Sequence, residues 1–307
     1  ILSGLVGSEM CIRDSTKVGK RSFLGNSGIA GPERTLKKNS LVAVLSSTPE
    51  KTKSGSNWLG SPPERLRRVT VEAGGESRTY NPGFGLKLAR GIVETLRLLA
   101  PMTSAMIAAG VVLTLQWVLA HQGIWQTFAV SGVVLVGAGF VAAAVTVLMK
   151  WLCVQRIKAG DHQLWSAFVW LNELQDQFVE TVAGPWFLAH TMGTGSLNMF
   201  LRALGAKIGR GAWLDTYWLP EADLVKIGRG ASVGPGCVVQ THLFQDRVMS
   251  LDTVTLGDGA TMGPHSVALP AAAIEQAATV GPASLVMRGD HVPAATRWQG
   301  NPIEIVD

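Results

Sequence analysis

The chain has 307 residues, of which 47% are hydrophobic and only 16% are charged, with 35 glycines and a formal net charge of +5. This length allows two domains, and the composition is richer in glycine and poorer in charge than that of an ordinary soluble globule. The modest charge is accompanied by no zinc-finger, RNA-recognition or helix-turn-helix pattern, which argues against a nucleic-acid partner. Three cysteines without C-x-x-C spacing argue against a disulfide framework and a zinc site, so no metal is expected.

The first part of the chain has two features of its own. Residues 1–15 lack the features of a signal peptide and resemble a translated sequencing adaptor, so we expect them to be non-native and the natural chain to begin upstream. Residues 16–68 contain short strand-like runs and include Trp58-Leu59-Gly60-Ser61-Pro62, which returns 240 residues later as Trp298-Gln299-Gly300-Asn301-Pro302. This internal repeat predicts that 16–68 is the tail of an earlier solenoid unit, followed by a linker over 69–97.

Residues 98–149 contain no Asp, Glu, Lys or Arg. The apolar run is divided at His121-Gln122-Gly123 into 98–120 and 124–149, each long enough to cross a bilayer about 30 Å thick as a helix. Lysines and arginines flank both outer ends, whereas the turn carries only His121, so the positive-inside rule places both flanks in the cytoplasm. The sequence therefore predicts an integral protein of the inner or plasma membrane, with its solenoid in the cytoplasm.

The same apolar run contains an alternative motif. Residues 134–142 fit a strand followed by Gly137-Ala138-Gly139-Phe140-Val141-Ala142, the G-x-G-x-x-A fingerprint of dinucleotide-binding folds. The run continues on both sides, however, and Gly and Ala at this spacing are common in packed transmembrane helices. We therefore interpret these glycines as helix-packing positions.

Residues 150–204 show apolar residues at helical spacing, with breaks at Gly184-Pro185 and at Gly193-Thr194-Gly195. This pattern predicts amphipathic helices that lie along the membrane surface or pack on the solenoid entrance. We interpret Asn172, Glu173 and Glu180 as the polar face of such a helix rather than as site residues.

A six-residue pattern, an aliphatic residue followed by a small one, runs through residues 207–289 of the last region, 205–307. Its copies begin at Ile208, Ile227, Val233, Leu256, Met262 and Val280. Each hexapeptide is typical of one short strand and one turn in a parallel β-helix, where three of them close a coil around stacked aliphatic side chains. The register is off by one residue before Ile227 and by five before Leu256. A solenoid places insertions outside as loops, where sites are commonly built.

These repeats resemble those of the left-handed β-helix acyltransferases, which implies a left-handed coil and transfer from a thioester. That reaction needs a base to take a proton from the attacking amine or hydroxyl, and histidine titrates near cellular pH. His242 is the single histidine in either insertion, so we predict it as the catalytic base, with His265 as the alternative. The candidates for orienting or supporting the imidazole are Asp215, Asp223, Asp246 and Arg247.

Further segments carry a narrower resemblance. They are Glu180 with Gly184-Pro185-Trp186, Trp213-Leu214-Asp215-Thr216, residues 240–249 and the terminal Trp298-Gln299-Gly300-Asn301-Pro302. Together they are similar to the carboxy-terminal membrane region of nonribosomal peptide synthetases of the ε-poly-lysine synthetase type, in which six transmembrane helices surround three tandem solenoids. This chain would hold the tail of the second solenoid, helices five and six, and the third solenoid. It departs from the pattern at Gln245, where an acid is expected, and over 271–276, whose lack of glycines would loosen one coil.

The resemblance implies amide-bond formation, in which the phosphopantetheine thioester of a carrier domain is attacked by an amine. It implies no cofactor bound directly by this chain, and it implies upstream adenylation and carrier domains, sibling β-helix domains and the lipid bilayer as partners. In hexapeptide transferases neighbouring solenoids share the active site, so a chain with one complete solenoid is expected to be inactive alone. Two alternatives stay open: a stand-alone, trimeric, membrane-tethered O- or N-acyltransferase using acyl-CoA, and a non-catalytic scaffold solenoid.

Overall fold

The computed structural model of the protein describes residues 15–25, 28–66 and 75–306. Most of the predicted adaptor and part of the predicted linker lie outside these residues. The first described region contains β1 (Lys17–Val18), β2 (Phe23–Leu24), β3 (Thr35–Leu36), β4 (Leu41–Val42), β5 (Asn57–Leu59) and β6 (Glu64–Arg65). Strands β1 and β3 pair in parallel, as do β2 and β4, and both registers join residues 18 apart. An offset of three hexapeptides is that of one turn of a three-sided coil.

Three helices follow: α1 (Phe84–Leu96), α2 (Leu99–Gln122) and α3 (Ile124–Cys153). The chain reverses at Gly123, whose φ of 91° ends α2. By length and composition, Phe84–Gln122 and Ile124–Cys153 are the two candidate membrane spans in the described residues. The predicted apolar hairpin is therefore present as two packed helices. Helix α1 lies within 69–97, the range predicted as a linker. One of its residues, Val93, packs on the core, while Phe84 faces outward.

The next segment connects the hairpin to the main coil. It contains β7 (Gly160–Gln163), α4 (Ala167–Phe178), a π-helix (Val179–Leu188), one α-turn (Ala189–Thr191) and α5 (Gly195–Leu204). The break predicted at Gly184-Pro185 is wrong. The π-helix runs through Pro185, since its wider turns avoid the clash that a proline ring makes with the preceding α-helical turn. The break at Gly193 is confirmed, and Gly193 there has a φ of 72°.

Parallel strands on three faces form the last region, which we call the main coil. The first face contains β8 (Lys207–Ile208), β10 (Val225–Ile227), β15 (Val254–Leu256), β18 (Ala273–Ile274) and β21 (His291–Val292). The second contains β9 (Trp213–Leu214), β11 (Ser232–Val233), β16 (Thr261–Met262), β19 (Thr279–Val280) and β22 (Arg297–Gln299), and the third contains β12 (Val238–Val239), β17 (Val267–Ala268) and β20 (Leu285–Val286). The first residues of five hexapeptides, Ile227, Val233, Leu256, Met262 and Val280, are at most 3% exposed and stack inside. The parallel hexapeptide architecture is thereby confirmed, while its left-handedness stays a prediction.

Strand pairing gives the length of each coil. Lys207 pairs with Lys226, Val225 with Val254 and Ala273 with His291, so these coils contain 19, 29 and 18 residues. Compared with a regular coil of 18 residues, the first two coils are longer by one and by eleven residues. Eleven residues are one hexapeptide plus five, so both excesses agree with the predicted register shifts of one and five. The larger insertion is a hairpin of β13 (His242–Gln245) and β14 (Val248–Leu251), and β14 also pairs with β7.

The loosening predicted over 271–276 is wrong. Strand β18, inside this stretch, pairs in parallel with β15 on one side and with β21 on the other. Ala271 and Ala277 adopt φ of 64° and 56° at the adjoining turns. Alanine, whose side chain is only a methyl group, thus takes the left-handed turn conformation that glycine takes elsewhere in the coil.

The two W-x-G-[SN]-P segments form the same kind of turn. Each precedes an antiparallel return, β5 to β6 and β22 to β23 (Glu304–Ile305), and each contains a cis peptide before its proline. Asn301 donates from Nδ2 to the carbonyl of Leu45 over 2.8 Å. Val44 of the first region packs with Val267 and Leu285 of the main coil. The two coil regions therefore lie side by side.

Candidate active site

A cavity of about 210 Å³ lies where the two register-breaking segments of the main coil meet the helices. Its coil side is lined by residues 217–222, Val238, Gln240 and His242. Its helical side is lined by Lys150, Ile157, Gln175, Asp176, Val179, Glu180, Phe200 and Leu204. We call this space the cavity. In the part of the chain that the structure describes, helices supply the wall that the resemblance assigns to a neighbouring solenoid.

His242 and Glu221 form a hydrogen-bonded pair in the cavity. His242 is the first residue of β13, and Glu221 lies at the corresponding corner of the preceding coil, immediately before a 3-10 turn (Ala222–Leu224). Nδ1 of His242 lies 2.8 Å from Oε2 and 3.0 Å from Oε1 of Glu221. Coil stacking thus joins two residues that are 21 positions apart in sequence.

The Glu221 carboxylate is held by two further donors. Asn172 donates from Nδ2 to Oε1 over 2.7 Å, and the Thr241 hydroxyl donates to Oε2 over 2.6 Å. Glu221 is 3% exposed, and its backbone is left-handed, with φ 42° and ψ 60°. A non-glycine residue in this region is uncommon and is often found at functional sites. The carboxylate is therefore fixed in position before any substrate arrives.

This pairing sets the protonation of His242. Burial acts to lower the pKa of His242, but the Glu221 carboxylate and Asp176 outweigh it and raise that pKa above its ordinary value. A carboxylate at Nδ1 favours the tautomer with its proton there, which leaves Nε2 as the basic nitrogen. Nε2 forms no hydrogen bond to any residue in the described ranges. His242 can therefore act as a general base toward a molecule in the cavity.

Asp176 lines the cavity from α4. Burial, followed by the charge of Glu221, raises the pKa of Asp176 to about 8, and Glu180 and Glu173 act in the same direction while His242 opposes them. At neutral pH its carboxyl group is thus mostly protonated. Within the described ranges, its side chain forms no hydrogen bond. Asp176 is a proton-carrying group on the wall that faces the coil residues.

Two of the predicted supporting residues lie in other surroundings. Asp223 forms a buried ion pair with Lys150, with 2.7 Å between Oδ2 and Nζ, and accepts a hydrogen bond from the backbone of Ile157. Asp215 follows β9, and its backbone N–H donates to the Val233 carbonyl. Neither aspartate is hydrogen-bonded to His242.

The remaining candidates lie on turns. Asp246 and Arg247 form the turn of the hairpin, with φ of 51° and 64°, at the end opposite His242, and the Arg247 guanidinium lies 5.0 Å from the Tyr80 ring. His265 is exposed on the turn between β16 and β17, against Gly236 of the adjacent coil. It does not line the cavity.

Sequence reasoning therefore placed His242 but missed its partners. Glu221 lies in the first predicted insertion, so a search for any acid in that insertion, rather than an aspartate, would have included it. Asn172 was interpreted as part of a polar helix face, yet it is 2% exposed and bound to Glu221. Among the described residues no cluster of three or more His, Cys, Asp or Glu could hold a metal ion.

Comparison with known proteins finds a synthetase relative. The chain is 34% identical over 293 residues to the delta-poly-L-ornithine synthetase of Acinetobacter baumannii (strain AB307-0294), a match that covers 94% of this chain and 22% of the relative. No family model matches. The name of the relative describes a synthetase that makes an amino-acid polymer. This agrees with the class of synthetase that the sequence resembles. The chain spans about a fifth of its length.

Solved structures with hexapeptide repeats are also similar. A hexapeptide-repeat acetyltransferase from Vibrio cholerae is 16% identical to this chain, with a TM-score of 0.31. The match covers 36% of this chain and 77% of the acetyltransferase. A serine acetyltransferase from Neisseria gonorrhoeae, solved in complex with serine, is 15% identical to this chain, with a TM-score of 0.32. The match covers 68% of this chain and 73% of the serine acetyltransferase.

Proposed function

We propose that this chain is part of a membrane-bound synthetase and that the cavity forms amide bonds, by transferring an aminoacyl group from a thioester to an amine. The observation that carries this proposal is the His242–Glu221 pair: Glu221 holds Nδ1 of a histidine that lines the cavity, and Nε2 forms no hydrogen bond within the described residues. A histidine base held by a carboxylate is suited to acyl transfer, because it can take a proton from the nucleophile and return one to the leaving group.

The reaction can be followed bond by bond. Nε2 of His242 takes a proton from the attacking nitrogen as the C–N bond forms at the thioester carbonyl, whose oxygen becomes an oxyanion. When the tetrahedral intermediate collapses, the C–S bond breaks and the thiolate takes the proton from His242. Glu221 stabilises the imidazolium during the interval in which His242 holds two protons. The products are an amide and a free thiol.

The acids around the cavity support a cationic acceptor. Asp176, Glu180 and Glu221 all line it, and the repulsion among these acids that raises the pKa of Asp176 is relieved when a positive charge enters beside them. The relative is named for a polymer of ornithine, an amino acid with two amines. We therefore propose that the acceptor is the amine of a basic amino acid or of a growing chain of such residues.

The apolar helices support a membrane location. Leu113, Trp125 and Val133 are among many large apolar side chains of α2 and α3 that face outward. Soluble monomers rarely expose contiguous apolar surface of this extent. We propose that α2 and α3 cross the membrane as a hairpin, with the main coil on the side of Arg156 and Lys158.

The donor would come from elsewhere in a longer protein. The relative is several times longer than the part this chain matches. We propose upstream adenylation and carrier domains, the carrier delivering the aminoacyl thioester to His242.

The proposal is tested with the full-length natural protein in lipid nanodiscs. Its carrier is charged by ATP and labelled ornithine in one reaction, and acetyl-CoA is the sole donor in a parallel one with ornithine as acceptor. We expect ornithine amides from the charged carrier and no acetylated ornithine. Acetyl transfer without use of the carrier would instead establish the acyl-CoA alternative.

A further inference from the structure

An ammonium must lose two protons to become an amide nitrogen, whereas a single base can accept only one proton at a time. An amine of a basic amino acid arrives at neutral pH as an ammonium, because its pKa is well above 7. Its nitrogen must lose one proton before it can attack and a second as the amide forms. In the proposed reaction His242 carries the second proton to the thiolate. The first proton needs another acceptor.

Asp176 is placed to be that acceptor. Its side chain lines the cavity from α4, whereas His242 lines it from the coil, so a molecule between the two walls meets both. Asp223 is tied to Lys150, and the Glu221 carboxylate is occupied by Asn172, Thr241 and His242. The Asp176 carboxyl has no hydrogen bond within the described ranges. It can bind an incoming nitrogen without breaking an existing contact.

We infer that Asp176 is a second catalytic residue of this site, which binds the acceptor ammonium and takes its first proton. This inference rests on the proposed amide-forming function. Binding of the ammonium displaces the proton of the Asp176 carboxyl group to solvent. The resulting carboxylate takes one proton from the ammonium, leaving an uncharged amine that attacks the thioester while His242 takes the second proton.

The surroundings of Asp176 suit this role. The charged groups around it are Glu173 and Glu180 on its own helical segment, Glu221 and His242 on the coil, and the Lys150–Asp223 pair at the end of α3. Burial and the neighbouring acids bring its pKa to about 8. A bound ammonium lowers this pKa, so the proton can leave. The carboxylate that forms is still next to the groups that raise its pKa, so it is a stronger base than an exposed aspartate.

The test compares a charged acceptor with an uncharged one. The full-length protein carries ornithyl thioester on its carrier, and the acceptor is either ornithine or methoxyamine, which is uncharged at neutral pH and needs no first deprotonation. The variants are Asp176→Asn, Asp176→Glu, His242→Ala and, as a charge-matched comparison, Glu180→Gln. Reaction of the His242→Ala protein with methoxyamine gives the background to be subtracted.

We expect Asp176→Asn to lower transfer to ornithine by about 100-fold or more, in line with the loss of a general base, while transfer to methoxyamine changes less than about threefold. Retained transfer to methoxyamine also shows that the variant is folded. Asp176→Glu, which keeps the carboxyl group, should recover part of the ornithine rate. Glu180→Gln, which removes one acid from the cavity, should lower transfer to ornithine far less than Asp176→Asn does and should leave transfer to methoxyamine nearly unchanged.

Equal losses for both acceptors in Asp176→Asn, or no loss for either, would overturn this inference and leave the proposed function intact. Wild-type rates in His242→Ala would overturn the proposed function itself. A loss for ornithine in Glu180→Gln as large as that in Asp176→Asn would show that only the total negative charge matters, which also overturns the inference.

Discussion

Glu221 holds His242 from the neighbouring coil, with 2.8 Å between Oε2 and Nδ1, and the carboxylate that does so is itself fixed by Asn172 from α4. Three separate parts of the chain, two insertions of the main coil and one helix after the apolar hairpin, therefore meet at the His242–Glu221 pair. The site depends on the packing of the helices against the coil as much as on the coil itself.

Replacing Glu221 by Gln should weaken His242 as a base. Because the Glu221 carboxylate raises the pKa of His242, its removal lowers that pKa, so the acid limb of the rate profile moves to lower pH. We expect the maximal rate to fall about 10- to 100-fold, as for other residues that orient a reacting group. The pH dependence of single-turnover transfer measures both effects. Glu275→Gln is the control, since it changes an exposed Glu–His pair with 4.0 Å between Glu275 Oε1 and His291 Nδ1. An unchanged pH profile in Glu221→Gln would contradict the assignment.

Asp176 should make the protein less stable as the pH rises. Its folded pKa of about 8 lies above the value of about 3.9 for an unfolded aspartate. Between these values the folded protein keeps a proton that the unfolded chain releases, so this group's contribution to stability is full at low pH and is lost as the pH rises toward 8, at up to about 1.4 kcal/mol per pH unit. Asp176→Asn cannot titrate. We expect its melting temperature to exceed the wild-type value by an amount that grows from pH 5 to 8.

The control for this effect is Glu180→Gln, which removes an exposed acid from the same cavity. Because Glu180 contributes to the raised pKa of Asp176, the difference between Glu180→Gln and wild type should grow over the same pH range by much less than that of Asp176→Asn. A gap between Asp176→Asn and wild type that widens toward low pH would show that Asp176 is charged in the folded protein.

Two glycines of one hexapeptide should respond differently to alanine. A Cβ on Gly228 would lie 2.4 Å from the backbone nitrogen of Asp258, whereas a Cβ on Gly230 meets nothing within 4 Å. Gly230 has a φ of 63°, and Ala277 adopts a similar φ of 56° at the same corner two coils later. Gly230→Ala should therefore cost about 1–2 kcal/mol of unfolding free energy. Gly228→Ala should cost more than about 3 kcal/mol or prevent accumulation, since its clash is with backbone that cannot move aside. Equal melting temperatures for the two variants would contradict this arrangement of the coil.

The apolar hairpin should expose its turn and the main coil on opposite sides of the membrane. In protein whose own cysteines have been replaced, Gln122→Cys and Lys158→Cys are treated with a membrane-impermeant maleimide. With helices of 24 and 30 residues, each span exceeds the bilayer core of about 30 Å. We expect Gln122→Cys to react in right-side-out vesicles and Lys158→Cys only in inverted ones. Reaction of both from the same side would show that the hairpin lies on the membrane rather than across it.

The coil could be predicted from sequence because its determinants are local. At Gly228 the corner has no room for a Cβ, and Ile227 beside it stacks inside, so every turn repeats the same two requirements. The insertion that carries His242 appears as a break in that period. The partner of His242 could not be predicted in the same way. Which acid meets the imidazole depends on how the corner before Ala222 folds, and the left-handed backbone of Glu221 turns its side chain to where Asp223 was expected.

The helical wall was less predictable for a related reason. Periodicity indicates that Asn172 and Asp176 lie on one side of a helix, but it does not show whether that side faces water or another part of the protein. Packing of α4 on the coil buries Asn172 against Glu221. At Pro185 the expected helix end is replaced by π-helical turns, and that choice is made by tertiary packing around the segment rather than by local preference.

A single-turnover assay of amide formation reports on whether Nε2 of His242 is the base for acyl transfer. Full-length protein with a charged carrier is mixed with ornithine, and amide formation is compared in wild type, His242→Ala and His265→Ala. His265→Ala is the matched control because Ala283 occupies the equivalent turn one coil later with a φ of 51°. We expect a loss of at least about 100-fold for His242→Ala and less than about twofold for His265→Ala. Wild-type amide formation by His242→Ala, with its carrier charged normally, would contradict this role of His242 and leave the main coil as a scaffold.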